Sequence, residues 1–477
     1  MSFTSTSFYI FLPIAIIVFF LMPQKVRYIW LLFVSFVFYT SLDSSFATLL
    51  IVSIITTWLC GNLIYSCKSV SGKKVIMAVG LIFNLSLLAV FKYAGFTLSL
   101  FSKNVSLNLI LPAGISFYTF QSLTYIFDIY NGNVKPEDNI FKYALFVSFF
   151  PLILSGPIER AKNLLPQLDF ENDFDQSAAK DGLKMMLFGY FLKVVVVSRL
   201  NIMTDAVFNF YEQRNAAVIV IGIFAYALQI YCDFQGYSCI AIGMCRIMGL
   251  SIIRNFRQPY FAVSVADFWR RWHISLSTWF KDYLYIPLGG NRKGTVRKYM
   301  NLLIVFVLSG IWHGANLTFL FWGLLNGLYQ IIGDLCKPIK SSLISNFKLL
   351  NKPAILRIIQ SGITFILIGF TWVFFRSASI SEAFNIIRTI FVPHSYTNFD
   401  GTFISNFGLG LLNLLILGFS LLVLFIIDFA CEKKNCDISG LLLNTNVIIR
   451  WGIYYAAILL VIYSMNLNMT EFIYQSF

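Results

Sequence analysis

"LGLLNLLILGFSLLVLFII", residues 409–427, holds 19 residues without a charge. At about 1.5 Å of rise per residue, such a run takes a helix across roughly 28 Å, the thickness of a bilayer's hydrocarbon. Runs of the same kind recur from end to end: "FLPIAIIVFFLM" (11–22), "VIMAVGLIFNLSLLAV" (75–90), "VIVIGIFAYALQI" (218–230), "LLIVFV" (302–307) and "GITFILIGFTWVFF" (362–375). They are continuous rather than alternating, which excludes a transmembrane β-barrel. Only 12% of the residues are charged, against about 25% in soluble domains. The expected fold is an all-α polytopic membrane protein with on the order of 10–13 membrane segments. No linker divides the chain, so residues 1–477 form one integral membrane domain.

Charge orients the spans. Lys25 and Arg27 follow the first apolar run and nothing basic precedes it. That run therefore reads as a retained span rather than a signal peptide, with the N-terminus outside the cytoplasm. Lys68, Lys73 and Lys74 fit the same frame. Basic residues are absent after Tyr463, which sends the last span outward and makes residues 466–477 an extracytoplasmic aromatic tail. The net charge of +14 reads as cytoplasmic loops facing anionic lipid, not as a nucleic-acid footprint. Eight cysteines without a C-x-x-C pair point to neither disulfides nor a metal site.

Two stretches interrupt the apolar pattern. In "SGPIER" (155–160), Gly156 and Pro157 break any helix, and broken helix at membrane depth is tolerated where it lines protein or a cavity. Residues 250–298 carry nine basic residues against two acidic ones, interleaved with aromatics from Val265 to Tyr285. This composition suits a helix at the cytoplasmic interface, with Trp269 and Trp272 as anchors. It also suits a basic mouth, formed by Arg270, Arg271 and Lys281, that receives an anionic cofactor.

Histidine is rare here: His273, His313 and His394 are the only ones. An ionisable group inside a membrane segment is expensive, so His313 in "SGIWHGANLTFLFWG" (309–323) reads as functional. Imidazole is a general base near neutral pH. The chain lacks a G-x-S-x-G elbow, a phosphate-cradling glycine loop and an H-E-x-x-H metal motif. No internal repeat is visible either, which weighs against a flippase or secondary transporter.

"FQGYSCIAIGMCRIMGL" (234–250), "NFRQPYFAVSVADFWRRWHISLSTWFKDYLYIPLGGNRKG" (255–294) and "LSGIWHGANLTFLFWGLLNG" (308–327) resemble the membrane-bound O-acyltransferases. The resemblance is to the bacterial branch of alginate O-acetylation membrane proteins, and its core covers residues 145–330. It implies helices around a central tunnel, with His313 as the catalytic residue and His273 as the second member of the family's catalytic pair. It implies acetyl-CoA as the donor, with no permanently bound cofactor. The acceptor would be an extracytoplasmic polysaccharide: an alginate-like exopolysaccharide, cellulose or peptidoglycan. A separate extracytoplasmic acetyltransferase would finish the reaction, and the bacterial cytoplasmic membrane would be the location. The tail "FIYQSF" (472–477) resembles an aromatic ending in which Tyr474 carries the acyl group outward. D-alanyl transfer to teichoic acid is the related alternative.

Overall fold

The computed structural model describes residues 1–42, 44–101, 109–171, 173–346, 352–391, 404–441 and 446–465. Tyr474 and the aromatic tail lie outside the described residues, as does His394. Among the described residues the protein is helical throughout. In chain order the helices are α1 (Thr6–Leu21), α2 (Arg27–Thr40), α3 (Ala47–Ser66), α4 (Val70–Phe101), α5 (Ile115–Tyr130), α6 (Ile140–Ser148), α7 (Ala161–Leu164) and α8 (Gln176–Tyr190). They continue as α9 (Ser198–Phe208), α10 (Ala216–Ile247), α11 (Val265–Arg271), α12 (Ile274–Phe280), α13 (Thr295–His313) and α14 (Leu317–Leu335). The last are α15 (Lys337–Asn346), α16 (Pro353–Arg376), α17 (Ile380–Ile390), α18 (Leu411–Lys434), α19 (Ile438–Leu441) and α20 (Val447–Ser464).

Eight described helices are long and apolar enough to cross a membrane, making this a multi-pass membrane protein. Other apolar runs fold as shorter helices. α1 and α5 have 16 residues each and α2 has 14.

The chain forms two compact units. In the first, α5 is buried along nearly its whole length. Several polar side chains of this unit are paired, as packing away from water favours. Tyr143 donates to Thr57 Oγ1 at 2.7 Å, Trp58 Nε1 donates to the Glu137 carbonyl at 2.7 Å, and Ser53 donates to Asn84 Oδ1 at 2.8 Å. "SGPIER" is a buried turn here. Its Glu159 carboxylate accepts from Asn163 Nδ2 at 2.8 Å and from the Ile253 N–H, and burial raises the pKa of that carboxyl.

The second unit is built around the antiparallel pair α13–α14. Gly310 and Gly323 let the two backbones touch. A Cβ on Gly310 would stand 2.3 Å from the Phe319 carbonyl oxygen, and one on Gly323 would stand 2.3 Å from that of Phe306. Small residues at a helix crossing are the usual solution in lipid, where close packing replaces the hydrophobic drive. Asn316 caps α14 by accepting from the Thr318 N–H at 3.0 Å, so the chain reverses within three residues of His313. Elsewhere in this unit Arg199 donates to the Val195 carbonyl, Ser464 Oγ and Asn413 Oδ1 at 2.9, 3.0 and 3.2 Å, tying α9, α18 and α20 together.

Candidate active site

The interfacial stretch does not form one helix. α11 starts on Ser264, whose hydroxyl accepts from the Asp267 N–H at 3.1 Å, and it stops after Arg271. Trp272 is extended, and His273 then adopts the left-handed conformation at φ +43° and ψ +54° before α12 begins. That backbone costs a residue with a Cβ roughly 1–2 kcal/mol, so the surrounding structure must hold it in place. After α12 the chain widens into a π-helical turn over Lys281–Tyr285, a feature often found at functional sites.

The break turns His273 inward, where it is 1% exposed. Its ring packs edge-on against Phe234 at 4.5 Å and lies 6.1 Å from Trp312. His313 ends α13 and is also buried. Its ring centroid is 5.0 Å from Trp312, 5.1 Å from Trp322 and 5.3 Å from Phe375. Trp312 thus neighbours both imidazoles.

Both histidines line one cavity of about 290 Å³, with Arg270 and Lys281 in the same wall. The residues expected from "WRRWHISLSTW" and "GIWHG" are therefore brought together, although 40 positions separate the histidines in the sequence. Ser277, Thr278 and Ser309, which lie within the quoted stretches without having been singled out, and Gln330, which lies outside them, add polar lining. The Arg270 side chain is 74% exposed and Lys281 is exposed, which gives this wall positive charge facing outward.

Arg271 is placed differently. It is not among the residues lining the cavity. Its Nε lies 3.0 Å from Asp267 Oδ2 and its Nη1 lies 2.7 Å from Glu432 Oε2, while Glu432 Oε1 holds Arg357 Nη2 at 2.5 Å. The reason is spacing: Asp267 and Arg271 sit one helical turn apart on α11, and the adjoining α18 supplies a second carboxylate. The expected tryptophan anchors differ as well. Trp272 is 1% exposed, among Phe256, Phe268 and Trp372. Trp269 donates to Asn326 Oδ1 at 3.2 Å and packs on Phe306 and Trp322. Trp272 is thus part of the protein interior against α16, while Trp269, half-buried against α14, lines the cavity.

Burial pushes the His273 imidazole down to about 3, so it is neutral at pH 7. The folded-state value lies below the unfolded value of 6.5. The unfolded chain then binds the extra proton, and stability falls as pH drops from 6.5 toward 3. We expect thermal unfolding of the detergent-solubilised protein to show this acid loss, and His273→Asn, which tolerates the left-handed backbone, to flatten it. An unchanged acid slope in that variant would assign the loss to other groups.

The arrangement offers two buried imidazoles in a partly apolar cavity with a basic rim. An imidazole so placed can take the proton of a reacting hydroxyl. Comparison with known proteins agrees. The model of the membrane-bound O-acyltransferase family matches residues 136–378. The probable alginate O-acetylase AlgI of Pseudomonas syringae pv. tomato is 35% identical over 404 residues, covering 82% of this chain and 75% of the relative. The peptidoglycan O-acetyltransferase of Helicobacter pylori is 33% identical over 416 residues, covering 79% and 77%. The teichoic acid D-alanyltransferase of Bacillus subtilis is 28% identical over 230 residues, covering 46% and 57%. With both histidine motifs meeting in one cavity inside the matched region, this chain belongs to the membrane-bound O-acyltransferase family and is an O-acyltransferase.

Proposed function

We propose that the protein takes an acetyl group from acetyl-CoA on the cytoplasmic side and passes it outward for O-acetylation of an extracytoplasmic polysaccharide. The observation that carries this reading is the shared cavity of His273 and His313 with Arg270 and Lys281 in its wall. His313 takes the proton of the accepting hydroxyl as its oxygen bonds the thioester carbonyl carbon. The C–S bond then breaks and the proton passes to the leaving thiolate. His273, neutral at the cavity wall, orients the carbonyl. Exclusion of water from the cavity protects the thioester from hydrolysis.

The relatives support acetyl over D-alanyl transfer, since the D-alanyltransferase matches less of the chain at lower identity. The alginate and peptidoglycan relatives differ in acceptor, which keeps both polymers as substrate classes. A separate extracytoplasmic acetyltransferase completes delivery, and the bacterial cytoplasmic membrane, with both termini outside, houses the protein. The test is incubation of purified protein with labelled acetyl-CoA, the polymer and that partner. Label in the polymer is the expected result, and label only from a D-alanyl carrier protein would favour the alternative.

Two further outcomes belong to this reading. Changing Arg270 and Lys281 together to Gln raises the apparent KM for acetyl-CoA more than it lowers kcat, and high salt narrows the gap as phosphate attraction is screened. An unchanged KM in the folded variant would assign both residues to lipid contact. Tyr474 serves as the outward acyl carrier, because a phenol is more acidic than a sugar hydroxyl and a better leaving group. Tyr474→Phe therefore abolishes polymer acetylation without changing membrane insertion, and full activity would leave Tyr474 as an interfacial anchor.

A further inference from the structure

We infer that Asn255 is a positioning residue that sets the His273 imidazole in the cavity. The inference rests on the assignment of His273 to the acyl-transfer site. His273 has a conformation that a residue with a Cβ rarely adopts, and such outliers persist only where neighbours over-determine them. The neighbours that do so come from one short segment. The Arg257 N–H donates to the Arg271 carbonyl at 3.0 Å, and the Ile274 N–H donates to the Asn255 carbonyl at 2.8 Å. The Ser275 hydroxyl donates to Asn255 Oδ1 at 2.6 Å. His273 is thereby bracketed, with its chain neighbours on both sides tied to residues 255–257.

Asn255 makes two of these three bonds, one through its backbone and one through its side chain. It is 0% exposed, and Ser275 is buried beside it. An apolar residue of similar size would fill the space and keep the backbone bond to Ile274, but it would leave the Ser275 hydroxyl unpaired. The backbone bond alone fixes where residue 274 begins. The side-chain bond fixes the rotation of the first turn of α12, and with it the direction in which the preceding imidazole leaves the chain. Asn255 itself is not among the residues lining the cavity, so its effect passes through His273.

The experiment uses the full-length protein in lipid vesicles with acetyl-CoA as probe and the polymer and extracytoplasmic partner present as acceptor, reading kcat and KM for acetyl transfer and the melting temperature of each variant. Asn255→Ala and Ser275→Ala remove the same hydrogen bond from opposite sides. Each should lower kcat about ten-fold, the effect of one ordinary hydrogen bond, and leave KM within about two-fold. The double variant should be no worse than either single one, because partners in one contact are not additive. Ser275→Ala is the smaller change, so it keeps the test decisive if Asn255→Ala fails to fold. His273→Ala is the control. If it turns over acetyl-CoA normally, the site assignment falls and this inference falls with it. If it is impaired while Asn255→Ala and Ser275→Ala keep wild-type kcat, only the positioning role is overturned. Additive losses that track a fall in melting temperature, or a rise in KM at constant kcat, would also overturn it.

Discussion

Replacing His313 by alanine lowers polymer acetylation by about 10²–10⁴-fold, the usual contribution of a general base. The variant still inserts and accumulates, because the side chain packs among three aromatic rings at the end of α13 and its truncation leaves the helix backbone in place. Truncation leaves a small hole among Trp312, Trp322 and Phe375, which costs some stability but does not break α13. Donor KM changes little, since Arg270 and Lys281 stay in place. The measurement is acetyl transfer to polymer by vesicles matched for protein content. Near-normal transfer by His313→Ala would remove His313 from the chemistry.

A loss of comparable size is expected from Gly323→Val, by a different route. The first added carbon would lie 2.3 Å from the Phe306 carbonyl oxygen, a contact that flexible side-chain motion cannot relieve because the obstacle is backbone. α13 and α14 must separate, which moves the end of α13 where His313 sits and loosens the ring around it. Overpacking of this kind typically costs about 1–3 kcal/mol. In a helix pair held mainly by close approach the activity loss should exceed the stability loss. Gly333→Val, on the same helix where a Cβ meets nothing within 4 Å, is the control. Equal activity in both variants would show that the tight crossing does not position the site.

The class of the protein was legible in residues 409–427 and their counterparts, because helix length and bilayer thickness are the same physical constraint. The histidine pair was legible too, since ionisable groups are few in this chain and each stands in a distinctive aromatic setting. What the sequence did not carry was direction. Arg270 and Arg271 are adjacent and alike, yet one helical step sends Arg270 to the cavity and Arg271 to Asp267 and Glu432. The aromatic content of residues 265–285 suited an interfacial helix equally well, and the left-handed residue that breaks it is a histidine rather than a glycine. Asn255 opens the stretch 255–294 but was not singled out within it, because its importance lies in a contact with Ser275 that only the folded loop creates.

The antiparallel course of α13 and α14 has a practical corollary. Lys298 Nζ lies 2.5 Å from Asp334 Oδ2 and the Tyr299 hydroxyl donates to the same carboxylate at 3.0 Å, so the start of α13 and the end of α14 emerge together. Cys336 follows directly and is the exposed one among the eight free thiols; five others are buried and two are half-buried. The native chain therefore carries its own chemical handle on the face where the basic segment ends. A bulky maleimide attached to Cys336 marks that leaflet without any cysteine being added or removed.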